Sequence, residues 1–358
     1  LTTFLKPLSS LLNMANLGRS LLLKQVPMFS FPTPHLTTHA GIAGLGVYRP
    51  QRIVSNDELA PRIDSSDEWI RERTGIAERR FAGQDETVVT MGVIAAQKAL
   101  LDSTTNASDI DVVIVATFTH RYQTPSAAAE IAALIGATNA AAFDLAAACA
   151  GFTYGVGVAD AMVRAGTAKN ILLIGSEKIS DFVNFDDRGT AFLFADGAGA
   201  VVISATSEQG IGPTVWGADG NAREAIIMSP DSITAGHTGV PSMLTMQGQQ
   251  VFRWAVGSMG DICEQALEKA GLQAGDLKAF VPHQANLRIT DALIKRLGLP
   301  DHVVVAKDIV QAGNTSSASI PLAIDALRVD GTLAKGDPIL LVGFGAGLAF
   351  AAQVVFAP

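Results

Sequence analysis

The stretch Phe143-Asp-Leu-Ala-Ala-Ala-Cys149-Ala-Gly-Phe-Thr-Tyr154 decides how the rest of the chain is read. Phe143 and Leu145 read as the end of a buried strand, and small residues lead through Cys149 into a tightly packed helix from Ala150 to about Arg164. A cysteine at a strand-to-helix junction sits where unpaired backbone N–H groups point at it. That field lowers a thiol's pKa and makes the thiolate a usable nucleophile. The alternative is a small core thiol, since free cysteine is among the most buried residue types. On this stretch alone both readings stay open.

At 358 residues the chain exceeds the roughly 250–300 at which single cores stop growing, which predicts two domains or two fused halves. Hydrophobic residues make up 48% and charged residues 17%, a globular rather than a disordered composition. A net charge of −8 argues against a general nucleic-acid binder but leaves room for a local basic patch facing an acidic partner. The only cysteines are Cys149 and Cys263, with no metal-ligand spacing, so no disulfide framework or zinc site is expected and a reducing, cytoplasmic setting fits. Cys263 reads as core packing.

Residues 1–37 carry Lys6, Arg19 and Lys24 but no acid, and are expected to be a non-native or over-long start, largely disordered, with a genuine presequence as the alternative. No apolar run is long enough to span a membrane. Folded sequence starts near Gly41 with a strand to Val47. Helix starts follow at Ser55 and at Ser65 or Ser66, and a helix covers Thr87 to Leu101. Asp111–Ala116 is a doubly buried strand, and Pro125–Ile135 a helix stopped by Gly136. A strand at Ile171–Ile174 precedes an Asp196–Gly199 turn into the strand Ala200–Ser204, and residues 205–245 read as turn-rich and irregular. The pattern then restarts: helix Val251–Ala270, strand Ala279–Val281, helix Leu287–Leu297, strand His302–Val305, helix Ser319–Arg328 and strand Ile339–Val342.

These halves can be laid on each other. Ala159-Asp-Ala161 matches Ile324-Asp-Ala326 at a spacing of 165, which sets Cys149 on Asn314 and Gly166 on Gly331. The preceding strands, Asp109–Ala116 and Asp276–His283, match at 167. The expected fold is therefore α/β, with halves 38–210 and 211–358, and with Cys149 and Asn314 at equivalent helix starts near one pseudo-twofold axis.

Three polar residues stand in otherwise small or apolar surroundings: Cys149, His283 and Asn314. Singly, His283 reads as a satisfied core histidine and Asn314 as a turn residue. Jointly they suit acyl transfer, with a thiolate attacking a thioester while His and Asn bind an oxygen as it becomes negative. Gly343-Phe-Gly345-Ala-Gly347 is either a close-packed turn or, with the Cys149 N–H, an oxyanion hole. The chain has no dinucleotide fingerprint, no phosphate-binding loop with Lys-Ser/Thr and no GxSxG.

The runs Asp67-Glu-Trp-Ile70 with Arg73-Thr-Gly-Ile76, Asp144 to Thr153, Asp187-Arg-Gly-Thr190, Phe194 to Gly199, Val281-Pro-His-Gln-Ala-Asn-Leu-Arg288 and Gly313-Asn-Thr-Ser316 resemble β-ketoacyl-acyl carrier protein synthase III. The resemblance extends from Gly41 to the C-terminus. It implies the thiolase fold in layered α-β-α-β-α form, and a homodimer. It also implies the initiating condensation of type II fatty-acid synthesis: acyl-CoA acylates Cys149, and malonyl-acyl carrier protein then condenses with loss of CO2. Asn314 in the third catalytic place separates this group from thiolases and from the elongating synthases. The resemblance implies CoA as part of a substrate, with no resident cofactor and no metal, and neither nucleic acid nor membrane as partner.

By the same resemblance, Cys149 and Ala346 supply oxyanion N–H groups. Trp69 and Arg188 resemble a pair that sandwiches the CoA adenine. Ser65, Arg73, Gly189, Gly248, Phe252, Ala285 and Asn286 match the CoA and pantetheine channel. Thr124 and Leu193 belong to the acyl pocket, Thr124 reaching it across the dimer; a small residue there predicts a primer longer than acetyl. Arg253, Arg288, Lys295 and Arg296 form the expected dock for the acidic carrier protein. The alternatives are a relative serving secondary metabolism (polyketide, quinolone or ester formation) and a catalytically silent acyl-CoA-binding paralogue.

Overall fold

The computed structural model describes residues 38–358, so the segment 1–37 lies outside the described residues. The first half lays down β1 (His39–Tyr48), the ribbon β2 (Arg52–Ser55) with β3 (Glu78–Phe81), then β4 (Val112–Ala116), β5 (Ala141–Leu145), β6 (Asn170–Lys178) and β7 (Asp196–Thr206). The second supplies β8 (Val215–Ala218), the ribbon β9 (Ile226–Ser229) with β10 (Met243–Met246), then β11 (Ala279–Pro282), β12 (Val304–Val305), β13 (Pro338–Gly345) and β14 (Ala349–Phe356). Two five-stranded sheets result, ordered β1-β7-β6-β4-β5 and β12-β11-β13-β14-β8. Read from the β5 and β12 edges, each runs parallel, parallel, antiparallel, antiparallel. The same pattern twice is the duplication expected from the sequence.

Alternation along the strands explains the layers. In β4, Ile114 turns inward to a core shared with Phe152 and Val156 of helix Gly151–Arg164, Ile320 and Ile324 of helix Ser319–Val329, and Val281 and Ile339 of the second sheet. Its neighbours Val113 and Val115 turn outward, beneath helices Val88–Ser103 and Ala127–Ile135. In the second sheet Phe280, Leu340 and Val342 turn outward beneath helices Gly248–Ala270 and Leu287–Leu297. Two helices thus lie between two sheets, with helices outside each, and both faces of every central strand are covered. This is why those strands read as unbroken apolar runs. Cys263 is fully buried in the outer layer of the second half, as a core thiol.

Some expectations fail for identifiable reasons. Phe143 is 37% exposed, because β5 is an edge strand paired only with β4. Asp196-Gly-Ala-Gly199 is the start of β7 and not a turn. Its small residues answer to crowding: a Cβ at Gly199 would stand 2.5 Å from Cγ of Pro321. Residues 205–245 contain β8, β9, β10 and the helix Ser232–Thr238, and β14 was not foreseen. Of the two caps expected for the helix Asp67–Thr74, it is Ser66 that accepts from the Trp69 N–H, so that expectation holds.

The repeat also slips. Gly166 and Gly331, both left-handed, close the two central helices 165 residues apart, as expected. At the helix starts the left-handed residues are Ala148 (φ 45°) and Ser316 (φ 51°), 168 apart. The second helix has 11 residues against 14 in the first, which accounts for the difference. Cys149 is therefore the counterpart of Ser317, and Asn314 that of Ala146. The two candidate residues share a junction type but not a position within it.

Candidate active site

A cavity of about 630 Å³ brings Cys149, His283 and Asn314 together. Cys149 sits in the single turn Ala148–Ala150 that precedes the helix Gly151–Arg164. Bare backbone lies directly against it: a Cβ at Gly345 would stand 2.7 Å from Cβ and 3.0 Å from Sγ of Cys149. Desolvation pushes the thiol up to about 12 and Glu177 adds to the rise, while its own backbone N–H works against it. Desolvation of the charged form works against the lowering expected from the helix start, although the side chain is only half-buried where it lines the cavity.

His283 follows β11 and is 2% exposed. Its N–H donates to the Val342 carbonyl at 2.7 Å, Nδ1 lies 2.7 Å from Ser319 Oγ, and its ring meets Phe344 edge-on at 5.4 Å. Burial lowers its pKa from 6.5 to about 3, so the imidazole is neutral at physiological pH.

Asn314 is held by its backbone, its carbonyl accepting from the Ala195 N–H and its N–H donating to Leu193, both at 2.9 Å. Its Oδ1 accepts from the Ser316 N–H at 2.9 Å. That bond fixes the amide and leaves Nδ2 as the end free to donate.

Towards one side of the cavity, Trp69 and Arg73 project from the helix Asp67–Thr74. The guanidinium groups of Arg73 and Arg188 lie 5.2 and 5.0 Å from the Trp69 ring centre. Asn286 caps the helix Leu287–Leu297, accepting from the Arg288 N–H at 2.9 Å, and its Nδ2 donates to the Arg73 carbonyl at 3.0 Å. Gly189, Gly248, Phe252, Ala285, Leu193, Ala346, Arg253 and Arg288 also line the cavity. Arg288 stands 5.4 Å from the Phe252 ring.

Other expected residues lie elsewhere. Ser65 and Lys295 are outside the lining, and Thr124 is on an exposed loop. Arg296 is held by Asp261 at 2.6 Å and by Glu264, so its charge is already matched within the chain. Conversely, the sequence reading missed a wall: Ile226 and Met228 from β9 with Leu244 and Met246 from β10, together with Phe118 and Phe344. The signal available was a pair of short apolar runs bracketing residues 230–242 in a stretch otherwise read as irregular. Also missed was Glu177, fully buried below the junctions and raised by burial from 4.5 to about 7. Among the described residues no His/Cys/Asp/Glu group could hold a metal, and no helix is long and apolar enough to cross a membrane.

Profiles of 3-oxoacyl-[acyl-carrier-protein] synthase III match residues 143–220 and, for its C-terminal part, 267–356. A β-ketoacyl-[acyl-carrier-protein] synthase III of Streptomyces coelicolor is 49% identical over 333 residues, covering 89% of this chain and 97% of the relative. The mycobacterial β-ketoacyl-[acyl-carrier-protein] synthase III of Mycobacterium tuberculosis is 49% identical over 320 residues, covering 89% and 96%. The priming β-ketosynthase from the R1128 polyketide biosynthetic pathway superposes with a TM-score of 0.89 at 44% identity, covering 93% of this chain and 99% of that one. The 3-oxoacyl-[acyl-carrier-protein] synthase III of Aquifex aeolicus gives 0.83 at 38% identity, covering 89% and 100%. Identity at this level across most of the chain, on the same duplicated fold, places it in the β-ketoacyl-[acyl-carrier-protein] synthase III family, condensing acyltransferases of the thiolase superfamily.

Proposed function

We propose that this chain carries out the initiating condensation of fatty-acid synthesis in two half-reactions at one cavity. The observation that carries the reading is Cys149 against the bare Gly345–Ala346 backbone, with two neutral donors, His283 and Asn314, lining the same space. In the first half-reaction the Cys149 sulfur attacks the carbonyl of an acyl-CoA. The N–H groups of Cys149 and Ala346 receive the oxyanion, and CoA leaves as the thiol with the proton the nucleophile gave up. In the second, malonyl-acyl carrier protein loses CO2, and His283 and the Asn314 amide donate to the enolate oxygen. The enolate carbon then attacks the acyl-Cys149 carbonyl, giving 3-oxoacyl-acyl carrier protein and expelling the sulfur as thiolate, which takes a proton from solvent to restore the thiol. Neutral donors suit this step, since each stabilises developing negative charge without needing to change protonation state.

Trp69 with Arg73 and Arg188 offers a planar, cationic seat for the CoA adenine. Arg253 and Arg288 at the cavity, with Lys295 further along the same helix as Arg288, form the dock for the acidic carrier; Arg296, paired internally, drops out of that patch. A homodimer is supported by the open edge of β5 and by exposed Phe143, Leu134 and Tyr122 nearby in sequence. A second copy would bring Thr124 to the acyl end, and its small side chain favours a primer longer than acetyl.

The test is intact-mass measurement of Cys149 acylation across an acyl-CoA chain-length series, followed by a malonyl-carrier chase. Acyl-enzyme that is consumed with release of CO2 supports the reading. Failure to form any adduct favours the silent paralogue, and a clear acetyl preference overturns the primer assignment. The likeness to a polyketide priming ketosynthase supports a second reading, the same chemistry serving polyketide synthesis, which a panel of carrier proteins separates.

A further inference from the structure

Ser319 opens the second central helix, is 1% exposed, and belongs to none of the groups that line the cavity. Its hydroxyl stands between two partners: the Gln284 N–H donates to Oγ at 3.3 Å, and His283 Nδ1 lies 2.7 Å away. A hydroxyl has one proton and two lone pairs, and a neutral imidazole has one proton for two nitrogens. Gln284 takes one lone pair of Oγ. If Nδ1–H donated to the second, the hydroxyl proton would be left without an acceptor among the described bonds, a costly arrangement for a buried group. If instead the hydroxyl donates to Nδ1, every donor and acceptor at this place is used once. The ring proton then resides on Nε2.

We propose that Ser319 is a positioning residue that fixes His283 as the Nε2–H tautomer, so that the histidine enters the cavity as a hydrogen-bond donor and not as a base. Three further features favour a neutral, fixed ring. The positive end of the helix Ser319–Val329 lies at Ser319, and a nearby helix N-terminus disfavours an imidazolium. Phe344 packs edge-on against the ring. The main-chain bond from the His283 N–H to Val342 pins the residue to the neighbouring strand. The consequence for chemistry is a division of labour. A ring with no free lone pair towards the cavity does not take the Cys149 proton, and its contribution falls on the oxygen that becomes negative during decarboxylation. This consequence rests on the condensing reaction proposed above; the tautomer itself does not.

Two measurements separate these. Nitrogen NMR of the wild-type full chain labelled at the histidine rings, with His283 assigned by loss of its signals in His283→Ala, reads the tautomer directly. A protonated Nε2 and bare Nδ1 support the inference, and a protonated Nδ1 overturns it without any Ser319 variant. In Ser319→Ala, the Nε2–H preference should relax. The malonyl step should fall by about 10²-fold, the scale of losing one oxyanion donor, while Cys149 acylation by acyl-CoA stays within about 3-fold. Ser319→Thr, which keeps the hydroxyl, should recover most of the malonyl step. Equal loss of both half-reactions in Ser319→Ala overturns the positioning role. A wild type that shows Nε2–H but never forms acyl-Cys149 overturns the condensing reading and leaves the tautomer assignment standing.

Discussion

The two halves of the molecule build the same pole twice, and only one of them lines the cavity. In each half a strand of one sheet receives the helix start of the other. Gly175 of β6 accommodates the second junction, where an added Cβ would stand 2.5 Å from the Ser317 carbonyl oxygen. Its counterpart Gly343 of β13 accommodates the first, where a Cβ would stand 3.1 Å from Ala150 Cα and 2.4 Å from Thr153 Oγ1. Two residues on, the poles part. Gly345 leaves space for Cys149 beside the cavity. Its counterpart Glu177 fills the other pole, 3.3 Å from Ser317 Oγ, and that hydroxyl also donates to the Ala116 carbonyl at 2.8 Å. Ala116 is the counterpart of His283. One pole is Cys149, His283 and Gly345; the other is Ser317, Ala116 and Glu177, fully buried and bonded within itself. The two poles share one geometry and differ at these three positions and at Asn314, whose counterpart is Ala146.

The largest effect that tests this contrast is loss of the nucleophile. Cys149→Ala should remove acylation altogether, a fall of about 10⁶-fold in turnover, judged by the absence of any acyl adduct in intact-mass spectra. Asn314→Ala should spare acylation and slow the malonyl step by about 10²–10³-fold. Substituting the silent pole at Ser317→Ala should leave both half-reactions within about 3-fold. If Ser317→Ala abolished acylation as Cys149→Ala does, the assignment of one active and one structural pole would be wrong.

The glycines give a second contrast. Gly345→Ala places a methyl 2.7 Å from the Cβ of the nucleophile, so acylation should fall by about 10²-fold, with a smaller loss of stability than at the closed pole because one side of this site is cavity. Gly175→Ala drives the same methyl into the backbone of a closed pole and should cost about 1–3 kcal/mol of stability. Urea melts and acylation rates of the two variants, measured side by side, check it; matching losses in both readouts would erase the distinction.

Much of this was legible beforehand, and what was not has a physical cause. Strands buried on both faces gave continuous apolar runs, so β4 and β11 were placed closely, and left-handed stops at Gly136, Gly271 and Gly298 ended helices where glycines stood. Cys149, His283 and Asn314 stood out because polar side chains among small residues are rare in a core. The slip at the helix starts was hidden because sequence matches lay at the helix ends, where the spacing is 165, and none lay at the starts. The apolar wall of β9 and β10 was hidden because four-residue strands in a turn-rich stretch carry too short a period. The raised Cys149 thiol could not be read from its junction, since local backbone gives the field but only the fold gives the desolvation.

Glu177 offers a test of intermediate size. Its carboxyl is bonded by Thr117 Oγ1 at 3.0 Å, Thr119 Oγ1 at 2.5 Å and the Phe118 N–H at 3.3 Å, yet burial dominates and raises it from 4.5 to about 7. The native state therefore holds this proton where the unfolded chain has lost it. Stability from this group is fully present below pH 4.5 and is lost as pH rises through 7. A shift of that size corresponds to about 3 kcal/mol. Asp196, raised from 3.8 to about 6, acts in the same direction at lower pH. Urea melts of wild type at pH 5 to 8 should show falling stability, and Glu177→Gln should flatten the upper part of that fall while the Asp196 contribution remains. Parallel curves for wild type and variant would mean that the silent pole is not the seat of a buried proton.

The smallest effect concerns the Trp69–Arg188 pair of the first half. Arg188 rests 5.0 Å from the centre of the Trp69 ring, the pair proposed above to seat an adenine. Removing the guanidinium loses one stacking partner for the base. The net effect should stay at the scale of an exposed cation–π pair, about 0.5–1 kcal/mol, or a 2- to 5-fold rise in KM for acyl-CoA in Arg188→Ala. Trp69→Ala loses the face that both Arg73 and Arg188 lie over and should do more. An acyl-pantetheine thioester, which has no adenine, should be used equally well by wild type and Arg188→Ala. If its KM rose as much as that of acyl-CoA, Arg188 would be acting on the catalytic pole through the turn that carries it, and the first half would have no separate seat for the nucleotide.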